Sequence, residues 1–131
     1  MATITTSASM LAVTLTTGEK LAAVHGDVTV PLSAVREVSM EPDALAAVSG
    51  LRAPGLAIPG LAKIGVWRRH GRRQFVVARR GMPAVHVRLE GGRHDELIVS
   101  TEHAHEIAQQ IQASAARSRP RASSMTNGAR K

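Results

Sequence analysis

Residues 66–80, VWRRHGRRQFVVARR, and residues 81–100, GMPAVHVRLEGGRHDELIVS, decide the fold of this chain. In the second segment Val85, Val87 and Leu89 alternate with polar residues, which is typical of a strand with one buried face. Glycines recur between the apolar segments and favour tight turns. The two segments together predict a meandering antiparallel sheet.

The remainder of the chain predicts further short strands and one helix. Leu11, Val13 and Leu15 alternate in the same way near the N-terminus. After Ser100 the apolar period changes to helical spacing, which predicts a helix over about residues 101–114. The apolar positions of this helix are Ala104, Ile107, Ala108, Ile111 and Ala115. The expected fold class is therefore mainly β, with six or seven strands and one C-terminal α-helix.

Length and composition favour a single domain with frayed ends. The chain has 131 residues, which is room for one domain, and we assign it to residues 9–115. Residues 1–8 are expected to be a disordered N-terminus. Residues 116–131 are expected to be a disordered basic tail, because they hold five of the 17 lysines and arginines and almost nothing apolar.

Residues 49–65 are predicted to form a long loop. They contain two Pro-Gly steps and four glycines, a density that opposes helix and sheet. Leu51, Leu56, Ile58 and Leu61 indicate that the loop packs on the body of the domain. The sequence is compatible both with a functional loop and with a lid that only covers one end of the sheet.

The chain resembles the pleckstrin-homology-like fold, and in particular a group of small bacterial proteins of that fold. The resemblance is carried by GLRAPG at residues 50–55, by IPG at 58–60, and by VHVRL at 85–89 ahead of DELIV at 95–99. It implies a partly open barrel of two antiparallel sheets capped by the last helix. It also implies a role in binding or scaffolding rather than in catalysis.

Several classes of function are disfavoured. There is no cysteine, which excludes disulfides and thiolate chemistry. No secretion signal or membrane-spanning apolar run is recognisable, so we expect a protein that is cytoplasmic or attached peripherally to a membrane from the cytoplasm. His103 and His105 are two residues apart and cannot share an ion on one helix face. We therefore expect no metal, no cofactor and no catalytic residues, since no acid, base and nucleophile converge in the sequence.

The strongest candidate site is the arginine-rich hairpin, because guanidinium groups at this density attract phosphate and carboxylate groups. The six arginines are Arg68, Arg69, Arg72, Arg73, Arg79 and Arg80. The partner is expected to be an acidic protein or an anionic lipid surface. The sequence does not decide whether the protein also forms a homo-oligomer. The alternative without a binding function is a solvated basic edge that prevents aggregation of one sheet with another.

Nucleic acid is the alternative partner for the hairpin and the basic tail. Single-strand binders usually stack bases on exposed aromatic rings. Trp67 and Phe75 are the only tryptophan and phenylalanine, and we expect both in the core. This class of partner is therefore the less favoured one.

Overall fold

The computed structural model describes residues 2–7, 9–19, 26–48, 51–58, 61–69 and 71–118. Its strands are, in chain order, β1 Thr3–Thr6, β2 Met10–Thr14, β3 Val28–Pro31, β4 Val35–Glu41, β5 Leu51–Ile58, β6 Ala62–Arg69, β7 Arg72–Arg79, β8 Ala84–Leu89 and β9 Glu96–Ser100. The two helices with defined bounds are α1, Ala44–Ala47, and α2, Ala104–Ser118. A 3-10 turn at Leu32–Ala34 joins β3 to β4.

The strands form two sheets. Strands β1, β2 and β3 form a small sheet in that order, and the large sheet has the order β4-β8-β9-β7-β6-β5. The sheets are not closed into a barrel, and the fold class expected from the sequence, mainly β with a C-terminal helix, is confirmed.

One strand pair departs from the expectation of purely antiparallel sheets. Strand β9 lies between β7 and β8, antiparallel to β8 but parallel to β7. Strands β7 and β8 follow each other in the chain but do not pair. The turn after β8 folds the chain back, and β9 occupies the position between them. The described part of the chain also has more strands than the six or seven expected.

The main core lies between the two sheets and is aliphatic apart from Phe75. Alternate residues of the strands face it, among them Leu11 and Val13 on β2 and Val85 and Val87 on β8. Helix α2 packs against β1, β4, β8 and the 3-10 turn, so it contacts both sheets. Its Ile111 is fully buried, which confirms the expectation that this helix closes off the β structure.

A smaller apolar cluster lies on the outer face of the large sheet. Trp67, Val76, Ala78 and Ile98 are buried there beneath the segment that contains α1. Asp43 caps α1 by accepting a hydrogen bond from the backbone N–H of Ala46. The α1 segment thus covers part of a sheet face and leaves the rest of that face polar.

The prediction of a loop over residues 49–65 is wrong, because residues 51–58 belong to strand β5 and residues 62–65 to strand β6. Two features reconcile proline and glycine with a strand. Strand β5 is the edge of the large sheet, where a missing N–H donor costs least. The β5–β6 register also shifts between Arg52 and Gly55, so a bulge accommodates the Pro54-Gly55 step.

The predicted ends of the domain also need correction. Residues 3–6 are strand β1 rather than disordered, and they pair with β2. The C-terminal helix begins three residues later than expected and includes residues 116–118. Its start follows a turn in which the Thr101 hydroxyl accepts a hydrogen bond from the His103 N–H. The remainder of the predicted tail lies outside the described residues.

Candidate functional site

The arginine-rich hairpin is formed by β6 and β7. Gly71 has a φ of 78°, a left-handed conformation that glycine adopts without strain, and it allows the tight turn. The register places Arg68 opposite Arg73 and Arg69 opposite Arg72. Residues directly opposite each other on a pair of strands share a face, so the tip of the hairpin holds like charges across from each other.

Two of the six predicted site residues are engaged in ion pairs within the protein. Arg72 Nη1 lies 3.1 Å from Glu96 Oε2. Arg79 Nη2 lies 2.8 Å from Glu19 Oε2. These two arginines therefore have carboxylate partners within the domain, and their part in an anion site stays a prediction.

Glu19 is the most buried carboxylate of the described chain and explains the position of Arg79. Besides the Arg79 bond, its oxygens accept hydrogen bonds from the backbone N–H groups of Ala2 and Thr16. Burial raises the pKa of Glu19, but the hydrogen bond from Arg79 and the one from Thr16 outweigh it and leave the pKa below its ordinary value. This cluster ties the N-terminal segment to β7.

Glu96 is the centre of a second charged network, on the polar part of the outer sheet face. It accepts hydrogen bonds from Arg72, from Gln74 Nε2 at 3.1 Å and from His86 Nε2 at 2.8 Å. The other ring nitrogen of His86 lies 3.2 Å from Glu41. Burial raises the pKa of Glu96, whereas these hydrogen bonds, led by that from His86, lower it below its ordinary value.

The network links four neighbouring strands of the large sheet through side chains. Glu41 lies on β4, His86 on β8, Glu96 on β9 and Arg72 on β7. A neutral imidazole carries one N–H and an imidazolium two, so only the protonated ring donates to both carboxylates. The sequence placed His86 on an outward face but did not reveal its partners, because they are distant in the chain.

Arg68 and Arg73 remain as the exposed pair at the hairpin tip. Both side chains are exposed, and within the described ranges neither makes an ion pair with a carboxylate. The Asp95 carboxylate contacts the backbone of Arg73 rather than its guanidinium group, since Asp95 Oδ2 accepts a hydrogen bond from the Arg73 N–H at 2.8 Å. We call Arg68 and Arg73 the tip arginines.

The last two of the six predicted arginines, Arg80 and Arg69, do not extend the pair of tip arginines within the described structure. Arg80 is exposed, but it lies in the turn after β7, where its N–H donates to Leu61 at the opposite end of the hairpin. It lies seven positions after Arg73, roughly 23 Å along the strand. The side chain of Arg69 lies outside the described part of the structure. The six arginines therefore do not form one cluster.

One basic residue near the tip was missed by the sequence analysis. Arg93 is exposed in the turn between β8 and β9. The Asp95 N–H donates a hydrogen bond to Arg73 O at 2.8 Å, which fixes that turn beside the start of β7. No local signal indicates this, because the placement depends on the parallel pairing of β9 with β7.

The two aromatic rings of the hairpin are not available at the surface. Trp67 is 4% exposed and Phe75 is fully buried, as expected from the sequence. In the described ranges no group of three or more acidic or histidine side chains has an arrangement that could hold a metal ion. Among the same residues no helix is long and apolar enough to cross a membrane.

Comparison with protein-family models, with curated proteins and with solved structures finds no match for this chain.

Proposed function

We propose that this protein is a non-catalytic binding module of pleckstrin-homology-like architecture that attaches from the cytoplasm to an anionic phospholipid surface through its tip arginines. The observation that carries the proposal is the direct opposition of Arg68 and Arg73 on an exposed hairpin without a carboxylate partner in the described chain. The two open sheets and the helix α2 packed on both of them support the architecture.

The physical argument concerns the cost of the like-charged pair. Like charges directly opposite each other destabilise an antiparallel pair. Elsewhere on the surface this protein pairs its arginines with acids, as in Arg36 with Glu90 and Arg88 with Glu37. A phosphate group between the two guanidiniums relieves the repulsion and accepts charge-assisted hydrogen bonds from both.

The expected attachment is weak and electrostatic. Each basic residue near an anionic membrane contributes about 1 kcal/mol, so the tip arginines together supply about 2 kcal/mol, or roughly 30-fold in affinity. Arg69 neighbours them in the sequence, and five further basic residues lie between Arg117 and the C-terminus. The binding should therefore fall steeply as salt is added.

Cosedimentation with vesicles tests the proposal. Vesicles of phosphatidylcholine with phosphatidylserine are compared with phosphatidylcholine alone, using the wild-type protein and Arg68→Gln/Arg73→Gln. The matched control is Arg36→Gln/Arg88→Gln, which removes the same charge from two arginines that have acidic partners.

We expect the tip variant to lose binding to the anionic vesicles while the control variant retains it. Equal binding by both variants would overturn the proposal. A gel shift with single-stranded DNA separates the alternative: binding to DNA but not to vesicles, lost in the tip variant, would assign the tip to nucleic acid. The burial of Trp67 and Phe75 argues against that outcome.

A further inference from the structure

A cleft of about 260 Å³ lies beside strand β3. One wall is β3 itself with the preceding Asp27, and the other is the β8–β9 turn at Gly92, Arg93 and His94. Strand β3 is an edge of the small sheet, with β2 on one side only. The cleft therefore follows the open edge of a strand.

The backbone groups that face this cleft can be identified from the ladder. The Leu32 N–H donates to Ser9 O at 2.9 Å, so this is a hydrogen-bonded position between β3 and β2. In an antiparallel ladder such positions alternate. With Val30 opposite Leu11 and Thr29 opposite Ala12, Val30 bonds to β2, whereas the N–H and C=O of Thr29 point away from β2.

The same alternation turns the C=O of Pro31 outward. The open edge thus offers one donor, from Thr29, and two acceptors, from Thr29 and Pro31. In the described part of the chain none of these three groups has a hydrogen-bond partner. They have the spacing that an added strand requires.

The charge of the cleft selects the occupant. Arg93 is exposed, and none of the described carboxylates forms an ion pair with it. The Asp27 carboxylate is already committed, because its Oδ1 accepts a hydrogen bond from the Leu15 N–H at 2.8 Å. His94 is buried, with its ring 5.6 Å from that of Phe75. The available side-chain charge is therefore a cation.

We propose that this cleft binds an extended peptide that adds to β3 as a further strand, with an acidic side chain of the peptide paired to Arg93. The main-chain bonds to Thr29 and Pro31 supply affinity independent of sequence, and Arg93 supplies selectivity. Pro31 has no N–H and β3 has four residues, so only a short segment pairs. This site uses neither of the tip arginines and does not depend on the proposed function.

Selection from a display library of random linear peptides against the full chain tests the inference. The key pair of variants is Thr29→Pro, which removes the outward N–H, and Thr29→Val, which keeps it. Because that N–H does not bond to β2, neither substitution removes a bond of the ladder, and a thermal melt checks that both variants fold. Arg93→Gln removes the cation, and Arg80→Gln is its matched control on a distant turn.

We expect selected peptides to be rich in β-branched residues and to contain an acid. Binding of their consensus peptide should fall roughly tenfold or more in Thr29→Pro and in Arg93→Gln, but not in Thr29→Val or Arg80→Gln. Replacing the acid of the peptide by its amide should have the same effect as Arg93→Gln.

Hydrogen exchange of the wild-type Thr29 amide gives a second readout that needs no variant. The peptide should slow the exchange of this amide, which has no hydrogen-bond partner among the described residues. Failure to select any peptide, equal affinity for Thr29→Pro and Thr29→Val, or an unprotected Thr29 amide in the complex would each overturn the inference. Vesicle binding by Thr29→Pro should stay unchanged, because this substitution alters no charge, so this outcome is distinguishable from failure of the proposed function.

Discussion

A single substitution at the hairpin tip, Arg68→Glu, should stabilise the protein and at the same time weaken its proposed binding to anionic membranes. Arg68 lies opposite Arg73 in the register, so the change replaces a like-charged pair by an opposite-charged pair. Each such pair contributes roughly 0.2–1 kcal/mol with opposite signs. The free energy of unfolding should therefore rise by about 1 kcal/mol, or about 4 °C in melting temperature.

Membrane binding should change in the other direction. The substitution alters the charge at the tip by two units, and each unit near an anionic surface contributes about 1 kcal/mol. Affinity for phosphatidylserine-containing vesicles should fall by roughly 30-fold. Chemical denaturation and vesicle cosedimentation of the same preparation measure the two effects.

Arg88→Glu is the matched control for this experiment. It makes the same change in net charge, but Arg88 lies opposite Glu37, with its Nε 3.3 Å from Glu37 Oε1. The new carboxylate faces a like charge, so the protein should lose about 1 kcal/mol of stability and keep most of its vesicle binding. If Arg68→Glu destabilised the protein, or if both variants lost binding equally, the reasoning on the tip arginines would be refuted.

Three further predictions concern the body of the domain. Glu19→Gln should lower the free energy of unfolding by about 3 kcal/mol, because it leaves Arg79 without its buried partner; urea denaturation measures this, and a loss below about 1 kcal/mol would contradict it. The pKa values of Glu19 and Glu96 are lowered in the folded protein, so the stability that these carboxylates contribute is present above the ordinary carboxyl pKa of about 4.5 and is lost as the pH falls through the lower folded values. The melting temperature should therefore decrease when the pH is lowered from about 4.5, and it should decrease less steeply in Glu96→Gln. Identical pH profiles of the melting temperature in the two proteins would be evidence against the network. Ile111→Ala should cost about 3 kcal/mol, whereas Gln110→Ala on the exposed face of α2 should cost little; calorimetry with equal losses in the two variants would show that α2 does not pack as described.

The parts of the fold that were predicted correctly depend on local patterns. Alternation in β2 and β8 and the helical spacing around Ile111 are visible in the sequence because one face of each element is buried. The error at residues 49–65 arose because proline and glycine were taken to break the sheet. A bulge on an edge strand tolerates them, and edge position is a property of the whole sheet rather than of the segment.

The candidate site was predicted in part, for a related reason. The tip arginines are neighbours across a hairpin, so the sequence places them together. Arg72 and Arg79 looked equivalent to them, but their acidic partners are 24 and 60 residues away in the chain. No local pattern reveals such pairs, nor the placement of Arg93 by the parallel pairing of β9 with β7.

The most direct test of the tip as a membrane contact is paramagnetic broadening of backbone amide signals by spin-labelled phosphatidylserine in anionic nanodiscs. Membrane contact through the tip arginines predicts the strongest broadening at Arg68 and Arg73, with Arg80 at the opposite end of the hairpin unaffected. Broadening that is uniform over the domain, or strongest around Arg80, would contradict it.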